Sequence, residues 1–438
     1  MDLIKALYID PGTGGMLFTI VFGLFGVVIF AFRALIVRFK FFSGGGKNTK
    51  VDRKKIPIVV FSDHKRYWNT FKPILDEFES REQKVLFLTC SEDDPALSEK
   101  YTYVTCEFLG EGNKAFSRLN MLNATLLLST TPSLDVFQWK RSKNVDCYIH
   151  IPHMPNDITL YRWFGTDHYD ALILSGEYQE QQIRKLEELR EIKPRDLELC
   201  GIPYMDEMKK RLENSGVQKS EGRTVLLAPS WGESGLLSRY GSKLIDALIS
   251  TGYEIIIRPH PQSFASEKAM LDDLVDKYKD NSAVSWNSDN DNFEVLSKSD
   301  ILISDFSGVL FDFSLVFDKP VIYTKAKFDV RPYDAFWIEE PLWTFEILPS
   351  LGLELTEENV GDIKALIDKC IDDPSFGEGR ERARKETWVH MGEGTVRSVD
   401  FVMKKYNETV KNRRAKNNSS GNTSKKSRSS QKKEGAAK

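Results

Sequence analysis

Short apolar runs alternate with amphipathic segments through most of the chain. The run IPIVVFS at 56–62 is followed by the helical pattern YWNTFKPILDEFES at 67–80, and the alternation continues to residue 190. Four further apolar runs in this block predict buried strands: VLFLT (85–89), ATLLLS (124–129), CYIHI (147–151) and ALILS (171–175). Because strands covered on both faces are apolar throughout, the pattern predicts a mostly parallel sheet flanked by helices.

The alternation stops near CGIPYMDEM (200–208) and then restarts. The second block predicts strands at TVLLAPS (224–230), YEIIIRP (253–259), AVSW (283–286), ILIS (301–304) and PVIYT (320–324), joined by helical patterns. Gly201 and Pro203 favour a turn between the two blocks. The sequence therefore predicts two Rossmann-like α/β domains, 57–205 and 206–403, that face each other across a cleft.

A long apolar segment precedes both blocks. Residues 17–32 (LFTIVFGLFGVVIFAF) carry no charge, and about 20 helical residues suffice to cross a hydrocarbon core. We therefore expect a transmembrane helix at 16–37, after a short extracytoplasmic segment 1–15 and before a basic, Gly-rich tether 38–56. A signal peptide is the competing interpretation, but the run is long and no small-residue cleavage site follows it. Basic residues predominate after the span, which predicts a single-pass cell-membrane protein whose body lies on the cytoplasmic face.

Charge is distributed unevenly along the 438 residues. The net charge is −3, but the tail 404–438 carries +10, residues 1–56 carry +6, and the body 57–403 carries −19. An acidic body argues against nucleic acid as a partner. The two basic ends favour an anionic membrane surface as a partner, and the low apolar content of the tail predicts that it is disordered.

The polar clusters follow the predicted strands, where ligands bind in open parallel sheets. RPHPQ presents Arg258 and His260, which suit phosphate binding, although a surface loop with an incidental histidine is the alternative. Ser304, Asp305, Ser307 and Gly308 form a turn before a predicted helix at 308–316, and this turn is either an anion site or ordinary helix capping. Asp312 follows one turn later and suits a substrate hydroxyl.

Histidines in the first block offer a general base. His153 follows the predicted strand 147–151 in the segment PHMPND and should face the cleft. His150 lies inside that strand and is expected to be a buried core histidine, while His64 at the end of the first strand is a weaker candidate. No cluster of carboxylates indicates a metal pair, so we expect that no metal is required.

The segments LLAPSW (226–231), RPHP (258–261) and SDFSGVLFDFSLVFDKPVIY (304–323) together resemble the CDP-glycerol glycerophosphotransferase family of teichoic-acid synthesis. GIPYMD (201–206) and GEGTVRSVDFV (392–402) are similar to other parts of that family. The resemblance implies a GT-B fold. It also implies transfer of a polyol phosphate from a CDP-activated donor to a lipid-linked or polymer acceptor, with no cofactor beyond the CDP-polyol substrate.

Site residues follow from the same resemblance. It implies donor-phosphate contact by His260, donor binding by the turn Ser304, Asp305 and Ser307 and by Asp312, and a catalytic base at His153. Ser230 stands where the family has a threonine. Two departures bear on the acceptor or the donor head group: HMPNDI replaces the family's HGTPLK, and Gly308 replaces a serine.

We expect direct phosphoryl transfer, in which His153 accepts the proton of the acceptor hydroxyl while Arg258, His260 and the 307–308 turn stabilise the phosphates. Two alternatives stay open from sequence. One is a GT-B glycosyltransferase that uses a nucleotide sugar, and the other is a non-catalytic membrane scaffold that retains the fold.

Overall fold

The computed structural model describes residues 55–216, 222–289, 291–305, 307–325 and 328–434, and for 416–434 it describes only the backbone. The predicted transmembrane helix at 16–37 and the segments on either side of it, 1–15 and most of 38–56, lie outside these residues. Within the described ranges, no helix combines the length and the apolar character needed to cross a membrane.

The strands in the described ranges number thirteen. They are β1 Ile56–Ser62, β2 Val85–Thr89, β3 Val104–Phe108, β4 Ala124–Ser129, β5 Val145–His150, β6 Ala171–Leu174, β7 Asp196–Leu199, β8 Thr224–Leu227, β9 Glu254–Ile257, β10 Val284–Trp286, β11 Ile301–Ser304, β12 Val321–Tyr323 and β13 Gly352–Glu354.

Helices connect these strands. They are α1 Trp68–Ser80, α2 Gly112–Leu119, α3 Glu177–Leu189, α4 Pro203–Asn214, α5 Leu236–Ile249, α6 Ser263–Ser266, α7 Lys268–Tyr278, α8 Phe293–Lys298, α9 Val309–Phe311, α10 Trp343–Glu346, α11 Ile363–Asp372, α12 Ser375–Thr387 and α13 Gly394–Glu434. A π turn, Asp312–Val316, continues α9. Short 3₁₀ turns occur at Lys65–Tyr67, Pro95–Ser98, Ile158–Leu160, Asp334–Trp337, Leu348–Ser350 and Val360–Asp362.

Two parallel sheets organise the fold, as the sequence predicts. The first has strand order β3-β2-β1-β4-β5-β6-β7 and the second β10-β9-β8-β11-β12-β13. All of their strand pairs are parallel; Val60, for example, pairs with Phe87 on one side and Leu128 on the other. Each sheet has apolar side chains on both faces, and β4 is buried along its whole length. The order reverses between β1 and β4 and between β8 and β11, which creates one crevice at the carboxyl end of each sheet.

The chain crosses between the two domains twice. It passes from β7 into α4 at Ile202, and it returns after α12 to α13, whose residues Val399, Phe401 and Val402 pack in the core of the first sheet. The prediction assigned residues 394–403 to the second domain, but these residues pack on the first. Their apolar positions show that one face of the helix is buried, yet they do not indicate which sheet buries it.

The side chain of Asp206 joins the two crossings. Its carboxylate accepts hydrogen bonds from Trp388 Nε1 at 2.7 Å and from the backbone N–H groups of Gly392 (2.7 Å) and Gly394 (2.8 Å). It therefore provides an acceptor for N–H groups at the start of α13, which have no intrahelical partner.

The basic tail differs from the prediction of disorder. The structure describes residues 404–434 as the continuation of α13. Packing of Val399, Val402 and Tyr406 orders the first turns of this helix. Once those turns exist, each added residue gains a backbone hydrogen bond without a new nucleation cost.

Candidate functional site

A cavity of about 390 Å³ lies where the strand ends of the two sheets face each other. Its second-domain wall contains six of the predicted site residues, and the seventh, His153, lies on the first-domain wall together with Arg66, Tyr67 and Met154. The six are Ser230, Arg258, His260, Ser307, Gly308 and Asp312. The structure thus brings together seven of the nine residues singled out from sequence.

Ser304 and Asp305 lie behind this wall rather than in it. Both are fully buried. Ser304 Oγ donates to the carbonyl of Ala228 at 2.7 Å, and the Asp305 carboxylate accepts from the backbone N–H groups of Ser230 and Leu236, each at 3.0 Å. The prediction gave both residues to donor binding. In the structure they connect the end of β11, by hydrogen bonds, to the loop that carries Ser230 and to the start of α5.

Ser230 itself presents an unsatisfied hydroxyl. Its Oγ is buried and has no hydrogen-bond partner among the described residues. A buried hydroxyl without a partner costs free energy, so such groups are expected to meet a ligand or water. Its position in the cavity wall makes a ligand the natural partner.

Arg258 and His260 follow β9 and enter the cavity side by side. The Arg258 guanidinium donates to Asn287 Oδ1 and to the carbonyl of Asp289, the latter at 2.7 Å, which fixes its direction. His260 Nδ1 accepts from the backbone N–H of Gln262 at 3.1 Å, so the second nitrogen, Nε2, is the proton-bearing donor of a neutral ring. Burial, with a smaller contribution from the charge of Arg66, lowers the pKa of His260 to about 4.

The turn before α9 and the residue after it complete the second-domain wall. The predicted helix at 308–316 is present as α9 and the π turn, and Asp312 begins the π turn. Tyr204 donates its hydroxyl to Asp312 Oδ1 at 2.7 Å. Burial raises the pKa of this carboxyl to about 6 despite that hydrogen bond. Asp312 is therefore a carboxylate at neutral pH that still lacks the solvation it would have in water.

His153 faces this wall from the first domain. Its Nδ1 lies 3.2 Å from Thr130 Oγ1, and its ring packs on Tyr67 with centroids 4.8 Å apart. Burial and the charge of Arg66 lower the pKa of His153 to about 4. At neutral pH the ring is uncharged, and in the tautomer in which Nδ1 donates its proton to Thr130 Oγ1, Nε2 is free to act as a base.

The other two histidines considered from sequence lie outside the cavity. His150 is fully buried, with Nε2 3.1 Å from the Tyr161 hydroxyl, as expected for a core histidine. His64 is exposed and caps the Lys65–Tyr67 turn by accepting from the Arg66 N–H at 3.1 Å. In the described ranges, no group of three or more His, Cys, Asp or Glu side chains is placed to hold a metal ion. The expectation that no metal is required stays a prediction.

Arg66 and Met154 are cavity residues that the sequence reasoning did not single out. Arg66 could have been found, because it follows the carboxyl end of β1 just as His153 follows β5. Met154 had a weaker signal, since its relevance depends on a contact across the cleft: a Cβ placed on Gly308 would lie 3.3 Å from Met154 Sδ. The two departures from the family pattern, Gly308 and the segment HMPNDI that contains Met154, therefore lie against each other.

This contact predicts the effect of a side chain at 308. Gly308→Ser should lower turnover on the order of tenfold, because a Cβ at 308 crowds Met154 in the cavity wall and even displacements of about 1 Å at a site can cost about a hundredfold. Replacing Met154 with glycine in the same chain should restore turnover. Gly361→Ser is the matched control, since a Cβ there meets nothing within 4 Å. Equal activity of Gly308→Ser and Gly361→Ser would contradict the prediction.

Two parallel α/β domains with a cavity between their strand ends define a GT-B-like protein. Among solved structures, similar folds include UDP-GlcNAc 2-epimerase from Neisseria meningitidis bound to UDP-GlcNAc (15% identity, TM-score 0.52, covering 79% of this chain and 99% of that one). A putative UDP-N-acetylglucosamine 2-epimerase from Listeria monocytogenes is also similar (13%, 0.51, 81% and 97%), as is S. aureus MnaA in a co-structure with UDP (12%, 0.53, 80% and 96%). At these identities the likeness concerns the fold alone. No curated protein sequence matches the chain.

The sequence itself identifies the family. Residues 51–336 match the profile of CDP-glycerol:poly(glycerophosphate) glycerophosphotransferase. This match spans both walls of the cavity and more than half of the chain. The protein belongs to this family of transferases.

Proposed function

We propose that this chain transfers a polyol phosphate, such as glycerol phosphate, from a CDP-activated donor to a hydroxyl group of a lipid-linked or polymer acceptor. The proposal depends on the side chains that line the cavity of this chain, together with its membership of the family. Phosphate-binding groups, Arg258, His260 and the 307–308 turn, line one wall, and a neutral histidine, His153, lies on the other.

In the proposed reaction the acceptor hydroxyl attacks the β-phosphorus of the donor. A new O–P bond forms, the bond from the β-phosphorus to the bridging oxygen breaks, and CMP leaves with that oxygen. His153 Nε2 takes the proton of the attacking hydroxyl. Arg258 and His260 stabilise charge on the phosphate oxygens by hydrogen bonding, which is the main contribution that proteins make to phosphoryl transfer.

Asp312 has a different role in this scheme. A carboxylate repels phosphate, so it suits a hydroxyl of the donor's polyol or ribose. Tyr204 donates to Oδ1 and the Asn292 side chain also hydrogen-bonds to the carboxylate, whose two oxygens together can still accept a further donor. The buried Ser230 Oγ offers the donor another polar contact.

Membrane attachment is part of the proposal and is supported by sequence alone. The apolar segment 16–37 would tether the body on the cytoplasmic face, and the basic ends would add attraction to anionic lipid. Tethering would raise the effective concentration of a lipid-linked acceptor.

Nucleotide titration tests the donor class. The full-length chain should bind CDP-glycerol or CDP-ribitol more tightly than UDP or UDP-GlcNAc in calorimetry. His260→Ala should weaken this binding by about ten- to a hundredfold, since a hydrogen bond to a charged group contributes about 1.5–3 kcal/mol. Binding of a UDP-sugar alone would instead favour a glycosyltransferase, and release of a nucleoside diphosphate would confirm that alternative. If no nucleotide binds to a folded sample, the non-catalytic scaffold is favoured.

A further inference from the structure

Arg66 places a cation on the first-domain wall, opposite the proposed phosphate site. It follows β1 in the Lys65–Tyr67 turn, lines the same cavity as Arg258, and is exposed to solvent. Its guanidinium lies over the ring of Tyr67, with its carbon 5.0 Å from the ring centroid, and Tyr67 in turn packs on His153. The stack of Arg66, Tyr67 and His153 therefore forms a continuous surface facing the second domain.

No carboxylate in the described part of the chain forms an ion pair with Arg66. The charge of Arg66 acts on the Asp63 carboxyl and lowers its pKa, although burial raises it more, and the two groups do not come within ion-pair distance. Most arginines in the described ranges are paired, by contrast, for example Arg190 with Asp334 and Arg195 with Glu187.

The rest of the cavity does not neutralise this charge. Both histidines facing Arg66 are uncharged at neutral pH, and Arg258 adds a second positive charge. The one carboxylate among the described lining residues, Asp312, already accepts a hydrogen bond from Tyr204. The cavity thus has one guanidinium group on each wall and a single, already hydrogen-bonded carboxylate, on the second-domain wall. This charge distribution favours an anionic ligand whose oxygens face both walls.

We propose that Arg66 contacts the phosphate that is transferred, from the side opposite Arg258. The inference rests on the proposed function and deepens it. The nucleotide end of the donor binds to the second domain, whereas the acceptor hydroxyl approaches His153 on the first. The group that lies between the two walls during transfer is the β-phosphate, and Arg66 is the one permanent cation among the described first-domain residues of the cavity wall.

The comparison of CDP with CMP tests this placement, because CMP lacks the β-phosphate. Arg66→Gln should weaken CDP binding by about tenfold and leave CMP binding unchanged in calorimetry with the full-length chain. Its turnover with CDP-glycerol should fall by about a hundredfold or more, as for other groups that stabilise developing charge. Arg66→Lys should recover part of both losses, since it keeps the charge but loses the planar fork.

Arg162→Gln is the matched control. Arg162 is exposed on the same domain and is not part of the cavity wall. Its replacement by glutamine removes the same charge as Arg66→Gln, but away from the proposed site. We expect it to leave CDP binding and turnover at the wild-type level.

Three results would overturn the inference. Equal weakening of CMP and CDP by Arg66→Gln would place the contact elsewhere on the nucleotide. A raised KM for the acceptor with unchanged CDP affinity would assign the contact to a phosphate of the acceptor. If Arg66→Gln binds CDP and turns over as the unmutated chain does, Arg66 is an exposed cation that does not contact the transferred phosphate. In each of these cases the proposed function still holds if the unmutated chain binds CDP. If the unmutated chain binds neither CDP nor CMP, both the proposed function and the role of Arg66 are refuted.

Discussion

His153→Gln should abolish most turnover while leaving donor affinity intact. We expect kcat to fall by about 10²–10⁴-fold, the usual contribution of a general base. The affinity for CDP-glycerol should stay at the wild-type value, because the His153 side chain contacts Thr130 and Tyr67 of its own domain. CMP release under saturating donor, measured beside calorimetric titration of the same sample, separates the two quantities.

The pH dependence gives the same residue a second test. A histidine with a pKa of about 4 is neutral above that pH, so the base is lost only as the pH falls through about 4 and not near 6.5. In kcat/KM, which reports groups of the free enzyme, the limb belonging to His153 should therefore lie near pH 4. This limb should be reduced in the residual activity of His153→Gln, where what remains near pH 4 belongs to His260, whose pKa is also about 4.

His168→Gln is the matched control for this prediction. His168 also belongs to the first domain, yet it is exposed and lies outside the cavity wall. It should retain wild-type turnover. Full activity in His153→Gln would remove the proposed base, and an equal loss in both variants would indicate a general effect on the domain.

Inner strands and edge strands differ in how well the sequence predicts them. The strands predicted at 85–89, 124–129 and 301–304 match β2, β4 and β11 residue for residue. The three strands that the sequence analysis missed, β3, β7 and β13, all lie at sheet edges. An edge strand is covered less completely, so VTCEF and DLEL mix polar and apolar residues, and no continuous apolar run marks them.

The strand-end rule located most of the cavity for a related reason. Parallel strands place all of their carboxyl ends on one edge, so polar residues that follow buried runs converge whatever their separation along the chain. The rule gives position but not side-chain direction. Ser304 and Asp305 follow a strand as Arg258 and His260 do, yet their side chains turn inward to the loop of Ser230.

Contacts across the cleft could not be predicted from the sequence, for a different reason. The approach of Met154 to Gly308 and the stack of Arg66 on Tyr67 and His153 depend on how two separately folded sheets face each other. No periodicity within either block encodes that arrangement. The same holds for α13, whose apolar face is evident from sequence although its partner sheet is not.

Asp312→Asn should make the protein more stable and less active. The folded-state pKa of Asp312, about 6, lies above the ordinary value of an aspartate, 3.8, because burial penalises the charged form. A carboxyl of this kind contributes stability below its unfolded pKa, and this contribution is lost as the pH rises through about 6. Removing the charge should therefore raise the free energy of unfolding at pH 8 by on the order of 3 kcal/mol at most, given about 1.4 kcal/mol per pKa unit.

The gain in stability should depend on pH in a defined direction. At pH 8 the wild-type carboxylate is ionised in its buried position, so Asp312→Asn should unfold at a clearly higher temperature than wild type. At pH 5 the folded wild-type group is protonated, and the difference in melting temperature should shrink. Asp272→Asn, at an exposed aspartate paired with Lys268, is the matched control and should shift the melting temperature little at either pH.

Loss of function should accompany this gain, because the same charge is the feature that suits a donor hydroxyl. The asparagine keeps an oxygen for the Tyr204 hydroxyl but offers only a neutral acceptor to the ligand, so CDP-glycerol affinity should fall by about tenfold. A variant that is stabilised at pH 8 and still binds CDP-glycerol like wild type would show that Asp312 does not contact the donor. A variant that is destabilised at pH 8 would show that the carboxylate is held by interactions stronger than the Tyr204 hydrogen bond. The expected combination, higher stability with weaker binding, would mean that the fold retains an unfavourably buried charge because the reaction requires it.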